Sequence, residues 1–143
     1  ARIVEPYFLA LLSESCLRAG SIDAAGQRLA EARAQVEKSG ERWWEAELHR
    51  LEGEVLLAAA DDGGRDGDSN DRAEACFRRA LEVAGRQGAT SLELRAALSL
   101  SRLGSSPDAH QLFGEIVGRF TEGHDTADLR AARQQMTQLS HAD

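Results

Sequence analysis

The residues best equipped for chemistry lie in the stretch DGDSND, which sets Asp66, Asp68 and Asn70 at alternate positions, as the first half of an EF-hand calcium loop does. The pattern fails where calcium geometry is most demanding: Asp71 replaces the turn glycine, and Phe77 occupies the place of the bidentate glutamate. A flexible, solvated insertion over 61–71 accounts for this Gly/Asp/Ser/Asn composition without a ligand. Glu45 and His49 stand four apart and share a helix face, yet no second His or carboxylate pair completes a metal site and HExxH is missing. A local hydrogen bond or surface pair is the expectation for them. GGRDGD lacks a Walker lysine and follows no strand, so no nucleotide is assigned. His110, His124 and His141 are scattered, and spacing alone supports no Ser/His/Asp or Cys/His constellation. Cys16 and Cys76 sit inside apolar helical patterns, without CxxC or Cys/His spacing, and read as buried free thiols in a reducing cytosol. No catalytic residue, metal or cofactor follows from these residues, and the chain reads as a non-enzyme.

The elements that position these groups are helices. Pro occurs only at Pro6 and Pro107, and apolar residues recur at three- and four-residue spacing nearly throughout. Gly20, Gly40, Gly88, Gly104 and Gly123 each follow an amphipathic run, where a left-handed C-terminal cap wants a residue without a Cβ. The spacing predicts helices over 5–19, 22–39, 41–60, 70–87, 90–103, 107–120 and 125–140, with Asp125 or Thr126 capping the last. Short connections make neighbours antiparallel. One domain of 143 residues is expected, with 24 acidic against 17 basic residues and a net charge of −7. That balance disfavours nucleic acid and anionic membrane as partners, and no stretch approaches the ~20 apolar residues of a membrane span. The chain opens at Ala1 without a methionine and reads as a segment of something larger.

A repeat emerges along the second helix of each pair. Ala25, Leu29, Ala32, then Ala73, Phe77, Ala80, then Ala109, Phe113, Ile116 each keep a four-then-three spacing. A small residue beside a large one lets two helices approach closely while the large side chain fills the gap between pairs. Ser13, Gly53 and Ala97 take the matching small positions on the first helices.

These sets resemble the tetratricopeptide repeat. More narrowly, GERWWEAELHRLEGEVLL, EACFRRALEVAGRQGATSLELRAALSLSRL and FTEGHDTADLRAA resemble the repeat-bearing C-terminal region of large bacterial signalling ATPases, often joined to class III nucleotidyl cyclase domains. The resemblance implies an all-α, right-handed superhelix of three hairpins, at about 5–39, 41–87 and 90–120, closed by a capping helix near 125–140. It also implies a cytoplasmic module whose cyclase and ATPase chemistry lies in upstream domains. The long loop at 61–71, the short turn at Ser105-Ser106-Pro107, and His124 where the tail motif generally has an aromatic depart from the pattern.

In tetratricopeptide proteins the first helices line a concave groove. Counting from Ser13, Gly53 and Ala97 places Tyr7, Glu14, Arg18, Glu47, Arg50, Glu54, Leu57, Leu94, Leu98 and Arg102 there. Such a mixed face suits a protein segment or an upstream domain of the parent chain, with Arg18, Arg50 and Arg102 as anchors for carboxylates. Local pairs such as Glu14 with Arg18 and Arg50 with Glu54 are the plainer account of the same charges. A small effector in the groove is the alternative ligand class. Leu9 and Leu12 on the first hairpin are expected at an exposed apolar end, where copies of the chain would associate. Trp44 is in phase with Leu48, Leu51 and Val55 and reads as core, while Trp43 is expected over the inter-hairpin seam formed with Val36 or the preceding helix, with a partly exposed ring as the alternative.

Overall fold

The computed structural model describes residues 5–61, 67–104, 106–119 and 127–141. They form α1 (Glu5–Arg18), α2 (Ile22–Ser39), α3 (Glu45–Asp61), α4 (Gly67–Gln87), α5 (Thr90–Leu103), α6 (Pro107–Gly118) and α7 (Ala127–His141). The protein is all-α, with no strand among the described residues. No described helix is long and apolar enough to cross a membrane.

Glycine placement explains why the helices stop where they do. Gly20, Gly40, Gly88 and Gly104 all adopt positive φ, and at Gly40 (φ 73°) the backbone N–H turns back to donate to the Val36 carbonyl at 2.8 Å. A Cβ would be strained in that left-handed conformation, so glycine is the residue that closes α2 cheaply. Gly123, Asp125 and Thr126 lie outside the described residues.

Pairing follows the four-then-three sets. α1 packs on α2, α3 on α4 and α5 on α6, while α3 also touches α1 and α5, and α7 rests against α5 and α6. Ala25, Leu29, Ala32, Ala73, Phe77, Ala80, Ala109, Phe113 and Ile116 are all buried. Their partners on the first helices are buried too: Ser13 donates its Oγ to the Ala25 carbonyl at 2.9 Å, and Phe77 packs over Gly53. Each hairpin is closed by a small residue facing the opposing helix.

The largest differences from expectation are at the starts of α3 and α4. α3 begins at Glu45 rather than near residue 41, because Trp43 and Trp44 form a turn in which the Arg42 carbonyl accepts from the Glu45 N–H at 3.0 Å and from Gln87 Nε2 at 2.8 Å. α4 begins at Gly67, so residues 67–71 of the expected flexible insertion are helical and α3 runs on to Asp61; residues 62–66 lie outside the described residues. Asp68 near the positive end of α4 is favoured by the helix dipole, which supports this earlier start.

Candidate functional site

A cleft of about 680 Å³ opens where the turn before α3, the junction of α4 with α5 and the start of α7 meet. Trp43, Trp44 and Leu92 give it apolar walls, and Arg42, Arg95 and Asp128 bring charge to it. The Trp pair belongs to an aromatic cluster with Tyr7 of α1. Tyr7 meets Trp44 edge-on at 4.9 Å between ring centroids, Trp43 lies tilted on Trp44 at 5.0 Å, and Tyr7 and Trp43 are near-parallel at 6.4 Å. Edge-on and tilted contacts suit rings with negative faces and positive edges.

The two tryptophans divide their labour. Trp44 packs against the core of the first hairpin beside Leu48 and Leu51, and also against Ala46, Val83, Ala84 and Leu92 at the next seam. Its indole Nε1 is buried without a hydrogen-bond partner among the described residues. Trp43 is 45% exposed, so of the two expectations the partly exposed ring holds rather than one sealed in the seam near Val36. The reason is the turn: residues 43 and 44 precede the helix, so the 100° helical phase used to place them does not apply.

Behind the cleft runs an ion-pair network that ties α1, α3, α5 and α7 together. Arg50 of α3, 8% exposed, donates Nε to Glu47 Oε1 at 2.8 Å and Nη2 to the same oxygen. Its Nη2 also stands 3.5 Å from Glu14 Oε1, and its Nη1 stands 3.4 Å from Ser99 Oγ and 3.7 Å from Glu54 Oε1. Ser99 Oγ donates to Glu54 Oε1 at 2.8 Å. Arg95 of α5 donates Nη2 to both Glu14 oxygens at 3.0 and 3.2 Å, while its Nη1 lies 3.2 Å from Glu47 Oε1 and its Nε 3.6 Å from Asp128 Oδ1. Burial works against the Arg50 charge, but Glu47, Glu54 and Glu14 outweigh it and hold the guanidinium above its ordinary pKa. Glu47 is 2% exposed, and its Oε2 has no hydrogen-bond partner among the described residues.

The structure separates the expected groove residues into three groups. Glu14, Glu47, Arg50 and Glu54 are brought together in the network. Leu57, Leu94 and Leu98 are core side chains, the last two packed with Phe113, Ile116 and Leu129. Arg18, paired loosely with Glu14 at 3.4 Å, and Arg102 are exposed, and Tyr7 is half-buried against the tryptophans. Arg95, Ser99 and Asp128 were not foreseen. The signal for two of them was present: Glu47, Arg50 and Glu54 form the polar stripe of α3, and the polar stripe of α5 is Arg95, Ser99 and Arg102, one residue round from the 94–98–102 phase.

The remaining candidates are local. His49 Nε2 lies 3.6 Å from Glu45 Oε1. Burial and the neighbouring Arg33 lower its pKa below the usual histidine range, and the Glu45 contact recovers only part of this. No described group of three or more His, Cys, Asp or Glu could hold a metal. Asp68 and Asn70 sit two apart on a helix, so their side chains diverge rather than converge on an ion, and Asp66 lies outside the described residues. Cys16 and Cys76 are free and half-buried, rather than fully buried as expected. Burial, reinforced by Glu52, pushes the Cys76 thiol up to about 11, which keeps it neutral and poorly nucleophilic.

Ninety-nine residues, 69% of the chain, are 36% identical to an uncharacterized protein of Rhizobium meliloti (strain 1021). The matched stretch is 9% of that relative, so the chain spans about a tenth of the length of the curated relative it matches. No protein-family profile matches the chain, and no solved structure matches it.

Proposed function

We propose that this chain is a non-catalytic interaction module, a tetratricopeptide-type superhelix of three hairpins and a capping helix, that docks a protein segment in the cleft beside Trp43. The observation that carries this reading is Trp43 itself. A large aromatic left 45% exposed on the wall of a 680 Å³ cleft, backed by Tyr7 and Trp44, has the make-up of an interface anchor. The family resemblance supports a cytoplasmic setting in the C-terminal part of a bacterial signalling ATPase or cyclase-like protein, with the upstream domains as partner. The far greater length of the Rhizobium relative agrees with a module embedded in a long chain.

The anchoring role expected of Arg50 passes to the aromatic side chains, because its guanidinium is committed to Glu47, Glu14 and Glu54. Calorimetric titration of the isolated chain with the upstream portion of its parent protein tests the reading. Trp43→Ala should weaken association about tenfold or more, the loss of one aromatic hot spot, while circular dichroism stays unchanged. Undiminished binding by the folded variant would overturn the docking site.

A small-effector sensor is the second reading, and the cleft volume favours it, since drug-sized ligands occupy pockets of about 300–1,000 Å³. A thermal-shift screen with cytoplasmic metabolites separates the two: a stabilising small molecule that Trp43→Ala abolishes supports the sensor. The face of α1 that exposes Phe8, Leu11 and Leu12 is the proposed route of self-association, whereas Leu9 is packed into the first hairpin's core. Sedimentation equilibrium should show a concentration-dependent mass that Leu12→Glu returns to monomer; a wild-type monomer at all concentrations would contradict it.

A further inference from the structure

The charge behind the cleft points to a different ligand sign from the one arginine anchors would take. Of Arg18, Arg50 and Arg102, expected to receive carboxylates, Arg18 and Arg102 are exposed, while Arg50 and the half-buried Arg95 beside it are already engaged. Arg50 faces Glu47, Glu14 and Glu54, and Arg95 faces Glu14, Glu47 and Asp128. With Arg18 at 3.4 Å from Glu14, three guanidiniums therefore serve four carboxylates, and Glu47 keeps one buried oxygen with no hydrogen-bond partner among the described residues. The surplus is negative.

At the cleft wall the Asp128 side chain is 43% exposed, against 9% and 20% for Arg50 and Arg95 behind it and 50% for Arg42 on the rim. Arg42 on the rim is answered by Glu37 at 3.5 Å and Glu45 at 3.4 Å. Asp128 and Trp43 wall one cleft, and Leu92 adds apolar surface to the same lining. A ring face attracts cations through its quadrupole, and a guanidinium both stacks on such a face and forks onto a carboxylate. An acidic side chain entering here would meet Asp128 and the unbalanced network behind it, a like-charge cost.

We infer that the occupant of the cleft is a basic, apolar protein segment, one that presents an arginine to Trp43 and Asp128 and an aliphatic neighbour to Leu92. This rests on the reading of the cleft as a protein-docking site, and it assigns the chemistry of the partner.

The chain has only two tryptophans, Trp43 and Trp44, so its two indole N–H signals in a ¹⁵N-correlated spectrum report directly on the cleft. The probes are acetyl-Leu-Arg-Leu-amide and its Glu and Gln counterparts, added to the folded chain at low salt. The Arg peptide should shift the indole signals saturably at concentrations about tenfold below those the Gln or Glu peptide needs, the preference given by one cation–π and ion-pair contact. Asp128→Asn, with the rest of its spectrum unchanged, should reduce that preference at least about threefold. Equal or tighter binding of the Glu or Gln peptide, or a preference indifferent to Asp128→Asn, overturns the cationic assignment and leaves the docking site standing. Indole signals that none of the three peptides moves overturn both.

Discussion

The ring of Phe77 on α4 occupies the space a side chain would need at Gly53 on α3: a Cβ built there would stand 2.5 Å from Phe77 Cε1 and 2.9 Å from Cδ1. Phe77 is fully buried, with Leu57, Ala73, Leu100 and Ala109 around it. The second hairpin is thus closed by a missing methyl group.

Gly53→Ala should destabilise the protein by about 1–3 kcal/mol, because overpacking outweighs the ~1 kcal/mol that alanine normally adds to helix stability. Phe77→Leu alone should also destabilise, by leaving a void, but the double variant should lose less than the sum of the two. Urea denaturation of the four proteins measures the coupling; strict additivity would show that the two positions do not compete for the same space.

Arg50 is the joint of the polar network. Arg50→Met should cost about 3–5 kcal/mol, since it leaves the buried Glu47 carboxylate with one counter-charge fewer. Arg50→Lys should recover only part of the loss, because an ammonium cannot reproduce the paired Nε and Nη2 contacts with Glu47. A loss below about 1 kcal/mol for Arg50→Met would identify the network as an ordinary surface pair.

Much of this architecture was legible in local chemistry. Gly20, Gly40, Gly88 and Gly104 marked helix ends because the left-handed cap is a one-residue requirement, and the four-then-three sets marked buried faces because packing there has helical period. The site was less legible for two reasons. A phase shift of one residue on α5 separates Leu94 and Leu98 from Arg95 and Ser99, and nothing in the helical pattern marks the turn that holds Trp43 ahead of α3. The contact of Glu14 with Arg95 spans 81 residues of sequence and exists only once α1, α3 and α5 are side by side. No spacing rule reaches that far.

His49 should make the fold acid-sensitive. Burial and Arg33 lower its folded pKa, so the unfolded chain takes up the proton first. Its contribution is complete above the unfolded value of ~6.5 and is lost as pH falls through the lower folded value. Thermal midpoints between about pH 7 and 5 should fall less steeply for His49→Gln than for the wild type. Parallel curves would show that His49 titrates alike in both states.

Cys76 should be slow to alkylate. With its thiol raised from 9.0 to about 11, the thiolate fraction near pH 8 is about a hundredfold below that of an unperturbed cysteine. In a Cys16→Ser background, iodoacetamide labelling should be correspondingly slow and should reach the free-thiol rate in urea. Fast labelling of the folded protein would contradict the burial of this sulfur beside Glu52.

The central claim, that the Trp43 cleft docks a protein segment, is tested most directly by placing a photocrosslinker on it. Benzoylphenylalanine in place of Trp43, in cells that produce the protein, should on irradiation join to a protein segment. The same group in place of Arg79, exposed on α4, should not. A crosslinked peptide unique to position 43 is the expected result; the absence of any product there, or the same products from both positions, would contradict the account.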